Sequence, residues 1–385
     1  MKIAVLNLTG SGISGGYKRY LQHMLPLMAA DPRVGEVLCA SPRTFNIREW
    51  IVPQPKLRMV ECQPFRFLRH KPDPELEREL AAFTPDVIFI PVSRYIRFRA
   101  VPLVVMIQNM APLAPGAWSG VRECAGLAAQ WLETRLAVGK SVAVIAMSDF
   151  ARDFLLKKWR VPAYKVRRIY FGNSTPSAHP SRPAAIPPDW RTFQFTAGSI
   201  EQYRGLEDII RCAAEARSTY AQPLRIVIGG SARKAMLPYQ ARLKAMAEKA
   251  GVAGDLCWVG QLSAEEMTWC YNNCSVFLMT SRVESFAVVV LEALAHGCQC
   301  VSTDNPPLPE AFRESAVYYH PGDHAALTRR VFEVLARDEA EKRSFLEKVR
   351  SRNAEFSWSA TAALTVQTLL DAAEKHSPPA GSGPH

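Results

Sequence analysis

A chain of 385 residues is too long for one ordinary hydrophobic core and suits two domains of about 150–200 residues each. With 48% hydrophobic and 22% charged residues the composition is that of a globular protein, and no apolar run approaches the ~18 residues of a helical membrane span. The net charge of +11 is unevenly placed: residues 1–172 hold 25 Lys/Arg against 13 Asp/Glu, and residues 173–385 hold 22 against 23, so the first half is the part expected to meet something anionic.

In chain order, residues 2–8 form an apolar run after Lys2. It is too short for the core of a signal peptide and reads as a first strand. Residues 15–30 repeat apolar side chains at helical spacing through Tyr20, Leu21, Met24, Leu25 and Met28. A strand is expected at 37–40, a short helix at 74–83, and buried strands at 86–91 and 103–107. A helix at 124–137, a strand at 142–146 and a helix capped by Ser148 and running to about 159 complete the first half. Five prolines between 172 and 189 read as a linker. The alternation then restarts, with strands at 193–197, 224–228, 256–259, 276–279 and 298–302, and helices at 206–217, 240–250, 264–272 and 287–295. Residues 357–375 suggest a last amphipathic helix, and the Ser/Pro/Gly-rich end a disordered tail. This is the rhythm of two Rossmann-like α/β domains, whose strand ends would line a cleft.

Nine cysteines show no doubled Cys-x2-Cys spacing for zinc and read as reduced, buried thiols of a cytoplasmic protein. Three stretches are candidates for chemistry. The segment from Thr280 to Gly297 ends a strand, places Glu284 in a turn, starts a helix near Phe286 and sets Glu292 about two turns in. The free N–H groups at such a helix start suit a diphosphate, and the flanking carboxylates suit sugar hydroxyls. The turn from Ala197 to Leu206 holds two glycines, Gly198 and Gly205, and one cation, Arg204. The loop from Gly10 to Gly16 satisfies G-x-G-x-x-G between a strand and a helix, which also fits a dinucleotide. The next strand, however, ends at Ser41-Pro42-Arg43 with no acidic residue for a ribose, so at best a 2′-phosphate is accommodated.

The segment 280–297 resembles the donor-site signature of the retaining glycosyltransferases of family 4, in which two glutamates are separated by seven residues. The resemblance implies a GT-B fold of two Rossmann-like domains. It assigns Glu284 to the transferred sugar and Glu292 to the ribose hydroxyls, with the backbone of Phe286, Ala287 and Val288 against sugar and phosphates. Ser285 and Ala287 stand where the family usually has glycine. The turn 197–206 is similar to the family's phosphate-binding turn. Arg204 keeps one of its two cations and Ser199 replaces the other. Gly15 and Gly16 resemble the glycine pair that approaches the donor phosphate. Gln108 stands where many relatives have a histidine beside the acceptor, and Asn109 follows it. Arg94 and Arg97, within Arg94–Arg99, and the earlier cluster Arg66–Lys71 interleave cations with aromatics and suit an anionic acceptor or membrane surface; no nucleic-acid module is visible.

The expectation is a first Rossmann-like, acceptor-binding domain over 1–172, a linker over 173–190, a nucleotide-sugar domain over 191–356, a returning helix over 357–376 and a disordered tail over 377–385. The function implied is retaining transfer of a hexose from a GDP- or UDP-sugar to a glycan or lipid-linked acceptor, in bacterial surface polysaccharide synthesis. It would proceed without metal or other cofactor, in the cytoplasm or at the inner membrane face. Two alternatives remain: a nucleotide-sugar epimerase or NAD(P) oxidoreductase on a similar frame, and a non-catalytic nucleotide-sugar-binding protein, the latter prompted by Ser199 and Gln108.

Overall fold

The computed structural model describes residues 1–9, 15–66, 70–113, 121–173, 175–286 and 288–375. Gly10, Gly12, Ala287, the middle of the Arg66–Lys71 cluster and the tail 377–385 lie outside the described residues. The chain divides into two compact units, Met1–Gly172 with Ser357–His385, and Asn173–Phe356.

The first unit carries β1 (Lys2–Leu6), α1 (Gly15–Ala30), β2 (Glu36–Pro42), β3 (Leu57–Cys62), α2 (Pro74–Phe83), β4 (Val87–Ile90), β5 (Leu103–Ile107), α3 (Val121–Lys140), β6 (Ala143–Ala146), α4 (Asp149–Asp153) and β7 (Val166–Arg168). All strand pairs are parallel, in the order β3-β2-β1-β4-β5-β6-β7. The central strands are covered on both faces, which is why they read as continuous apolar runs. Local chemistry fixes the ends: Asp73 caps α2 by accepting from the N–H groups of Glu75 and Leu76, with Pro74 at the first helical position. The helix expected over 148–159 is shorter than that. After α4 the backbone continues as one π-helical turn, Phe154–Lys158. The strands β3 and β7 at the two sheet edges carry charged residues and escape the apolar-run criterion.

The second unit carries β8 (Gln194–Ala197), α5 (Leu206–Tyr220), β9 (Ile226–Gly229), α6 (Leu237–Lys249), β10 (Leu256–Gly260), α7 (Ala264–Asn273), β11 (Val276–Met279), α8 (Val288–Ala295), β12 (Cys300–Thr303), α9 (Leu308–Phe312), β13 (Val317–Tyr319), α10 (His324–Leu335) and α11 (Glu339–Ala354). Its parallel sheet has the order β10-β9-β8-β11-β12-β13. A full capping box between Ser263 and Glu266 starts α7. Cys298, expected on a strand, falls just ahead of β12 and donates its thiol to the Tyr271 carbonyl. The proline-rich run packs on this unit instead of hanging free: the Ser177 N–H donates to Thr268 Oγ1 at 3.0 Å, Arg182 lies over the Trp269 ring, and Ile186 and Trp190 are buried.

The last helix, α12 (Trp358–Glu374), belongs to the first unit, where it packs on α1. Trp358 stacks on His23 with ring centroids 4.6 Å apart and meets Tyr20 and Phe171 in one aromatic cluster. Such ring pairs contribute ~1 kcal/mol each beyond their burial. No described helix is long and apolar enough to cross a membrane.

Candidate active site

In the second unit strand order reverses between β8 and β11, so the connections that leave these neighbours diverge to opposite sides. A crevice opens at the carboxyl ends of two such strands. The two connections are the turn after β8, which holds Ser199 and Arg204, and the turn after β11, which holds Glu284.

They are stitched together. Thr280 Oγ1 donates to the Arg204 carbonyl at 2.7 Å, the Arg282 N–H donates to the Tyr203 carbonyl at 2.7 Å, and Thr303 Oγ1 donates to the Ser281 carbonyl at 2.7 Å. Gly205 has φ +64°, and a Cβ there would collide with the Thr280 carbonyl, so only glycine lets the turns close. Gly198 has φ +139° and lies under the Arg204 guanidinium, where a Cβ would come to 3.0 Å from Cζ.

Arg204 Nη1 donates to Ser281 Oγ at 3.2 Å and to Glu284 Oε1. The side chains of Arg204 and Glu284 are 17% and 10% exposed, so this is a shielded ion pair. Burial works against the charge on Arg204, and the carboxylates, Glu284 foremost, outweigh it, so the guanidinium pKa stands above its ordinary value. Arg204 Nε is buried without a hydrogen-bond partner among the described residues. Such an atom is costly unless something accepts from it.

Glu292 sits on the second turn of α8, 8% exposed, and accepts from Tyr271 Oη at 2.8 Å. The Tyr271 ring in turn stacks on His296, at a centroid distance of 4.8 Å. Phe286 is fully buried against Phe356, so only its backbone can address a ligand. Val288 is the first residue of α8. Ser199 is exposed beyond β8 and lines a small recess with Gly198, Arg204, Thr280 and Ser281.

Four neighbours were not singled out from sequence. They are Ser281, Tyr271, the buried Glu201, and Arg233, which grips Glu201 through Nε at 2.6 Å and Nη2 at 3.0 Å. The spacing Gly230 to Arg233 after a strand was an available signal for the last. Nothing in the α7 pattern marks Tyr271.

The first unit reverses order between β1 and β4. Gly15 and Gly16 open α1 after β1, and a Cβ at Gly15 meets nothing within 4 Å. Arg94 and Arg97 follow β4, and Gln108 and Asn109 follow β5. Gln108 Nε2 lies 3.4 Å from Met106 Sδ and Asn109 is exposed. The guanidinium of Arg43, the residue a 2′-phosphate would need, is engaged by Glu61 at 2.6 Å and Glu75 at 3.6 Å. Among the described residues no group of three or more His, Cys, Asp or Glu is arranged to hold a metal.

Residues 183–351 match the model of the family described as Glycosyl transferases group 1. The serotype-specific mannosyltransferase WbdA of Escherichia coli is 26% identical over 176 residues, 46% of this chain and 21% of that protein. A D-inositol 3-phosphate glycosyltransferase of Streptomyces bingchenggensis is 23% identical over 95% of this chain and 87% of its own. The chain spans only about a fifth of the length of the WbdA proteins it matches. Among solved structures, the sucrose-phosphate synthase of Thermosynechococcus elongatus superposes with TM-score 0.73 at 17% identity, covering 96% of this chain and 98% of that one. HepE of Anabaena, in complex with UDP-glucose, does so with TM-score 0.73 at 17% identity, covering 96% and 100%. The chain therefore has the GT-B fold of two parallel-sheet α/β domains, and its second unit carries the match to the Glycosyl transferases group 1.

Proposed function

We propose that this protein is a retaining glycosyltransferase that moves a hexose from a nucleotide-sugar donor to a glycan or lipid-linked acceptor in polysaccharide assembly. The observation that carries the reading is the shielded set of Arg204, Ser281 and Glu284 at the strand-order reversal, with Glu292 two turns away on α8 and held by Tyr271. The set is built for one ligand with an anionic centre and hydroxyl groups on both sides. Arg204, with Nε buried and unbonded among the described residues, and the backbone at the start of α8 would meet the diphosphate. Glu284 would accept from the transferred sugar, and Glu292 from the ribose.

In the reaction the acceptor hydroxyl forms a bond to the anomeric carbon on the face from which the diphosphate leaves. The bond from that carbon to the phosphate oxygen breaks, and the leaving phosphate takes the acceptor's proton. No side-chain base is needed, which is compatible with Gln108 near the acceptor. Arg204 stabilises the charge that develops on the leaving group, an effect worth ~10²–10³ in rate for one well-placed donor. Ser199 supplies no second cation. Arg233, whose side chain is 67% exposed on the adjoining turn, is the cation that would take that place. Gly15 and Gly16 would approach the donor phosphate, and the described chain itself requires no glycine at Gly15. The matched relatives include a mannosyltransferase, and one solved neighbour is in complex with UDP-glucose. GDP-mannose and UDP-hexoses are accordingly the donors to try. A cytoplasmic site of action, with the basic first unit touching an anionic membrane, fits a lipid-linked acceptor, and no metal is invoked.

Calorimetric titration of GDP-mannose and UDP-glucose into wild type and Glu292→Ala tests the assignment. At least one donor is expected to bind, with affinity reduced ~10-fold or more in the variant, which loses a buried charge-assisted hydrogen bond to the ribose. Equal binding by both proteins sinks the role given to Glu292, and binding of neither donor sinks the function.

A further inference from the structure

We propose that a cavity of about 730 Å³ in the first unit binds a phosphorylated amphiphile. It is formed where the segment after β1, the segment after β4 and the connection from β3 to α2 meet, at that sheet's strand-order reversal. Its size suits a drug-sized organic ligand. One side is apolar: Leu8, Pro64, Phe65, Pro72, Leu76 and Ile96 line it, and Leu8, Leu76 and Ile96 are each at most 4% exposed. The other side carries the cations Arg66 and Lys71 together with His70 and Asp73, and outside this lining Arg94 lies over the Phe65 ring.

Arg94 is the informative residue. It is half-buried with its guanidinium 5.2 Å from the Phe65 ring centroid, and it makes no ion pair among the described residues. Burial pushes its pKa down, and Glu133 offsets only part of this. The buried Glu133 carboxylate compensates this charge only in part, and an anion supplied from outside would complete the compensation. The acids nearby are committed to the wall. Glu133 accepts from the Tyr95 N–H at 3.1 Å and lies 3.4 Å from His70 Nε2. Asp73 accepts from the N–H groups of Gln63, Glu75 and Leu76. The Arg97 N–H donates to the His70 carbonyl at 2.7 Å, which ties the cationic segments together before any ligand arrives. Arg66 and Lys71 on the lining, with Arg94 against Phe65, suit a phosphate dianion, and the apolar wall suits an alkyl or isoprenyl chain attached to it.

Under the glycosyl-transfer reading such a ligand is the acceptor; its chemistry does not depend on that reading. Calorimetry with octyl phosphate, 1-octanol and inorganic phosphate tests it on the full chain. Octyl phosphate is expected to bind at least 10-fold more tightly than either fragment. Arg94→Met keeps the apolar stem against Phe65 and removes the charge, and should weaken octyl phosphate at least 10-fold while nucleotide-sugar affinity holds. Should Arg94→Met fold poorly, the rim double variant Arg66→Gln/Lys71→Gln, at exposed positions, should give the same loss. No binding of octyl phosphate, equal binding of octanol or phosphate, or full affinity in both variants overturns the site. Octyl phosphate binding in a protein that takes no nucleotide sugar removes the acceptor role and the function together. Nucleotide-sugar binding without octyl phosphate removes only this site.

Discussion

Each unit holds a shielded arginine just beyond a strand at its strand-order reversal, and the two are treated oppositely. Arg204 is paired with Glu284 and Ser281, and its pKa is raised despite burial. Arg94 has an aromatic ring and no ion pair among the described residues, and burial lowers its pKa more than Glu133 raises it. The difference separates two electrostatic arrangements: the second unit pairs its arginine internally, and the first leaves the charge of its arginine partly uncompensated.

One substitution made at both places breaks the comparison if it is wrong. Arg204→Met strands Glu284 in a shielded site, so donor turnover should fall by ~10² or more and the fold should lose ~3 kcal/mol. Activity assays and chemical denaturation read both, and a wild-type rate would end the role assigned to Arg204. Arg94→Met removes a half-buried charge that makes no ion pair among the described residues, so its melting temperature should stay level or rise. A clear fall would mean that Arg94 is structural.

A smaller effect sharpens the account of the second unit. Tyr271→Phe removes the hydroxyl that holds Glu292 and should cost ~1 kcal/mol in donor binding, raising KM about 5-fold with kcat kept. An equal loss in kcat would mean that Tyr271 acts on the chemistry itself.

The smallest effect is in the first unit. Burial foremost, and then Arg19, lowers the pKa of His23, which stacks on Trp358. The unfolded chain then binds the proton more readily, so stability is level above the ordinary value of 6.5 and falls as pH drops below it. His23→Phe should flatten that slope in melting temperatures between pH 7.5 and 5, and an unchanged slope would clear His23 of the effect.

Much of the fold was legible in the sequence because parallel strands covered on both faces must be apolar throughout. The runs at 87–90, 103–107 and 276–279 could therefore only be central strands. The edge strands β3 and β7 were not legible, because a strand with one solvent side admits Arg58, Glu61, Arg167 and Arg168. The candidate site was half legible. Glu284, Glu292, Gly198, Arg204 and Gly205 are local in sequence and constrained by turns and a helix start. Tyr271 and Arg233 reach the site from other elements; the spacing from Gly230 after a strand hints at Arg233, and nothing local marks Tyr271.

The sequence by itself determined the alternation of strands and helices, the basic first half and the place of the glutamate pair, since each follows from burial, charge count or near-neighbour geometry. Only the tertiary structure decided that Arg204 and Glu284, 80 residues apart, form an ion pair, and that Arg94 forms none among the described residues. Pairing between distant charges depends on how the connections diverge from neighbouring strands, and the strand order that sets this is a property of the assembled sheet.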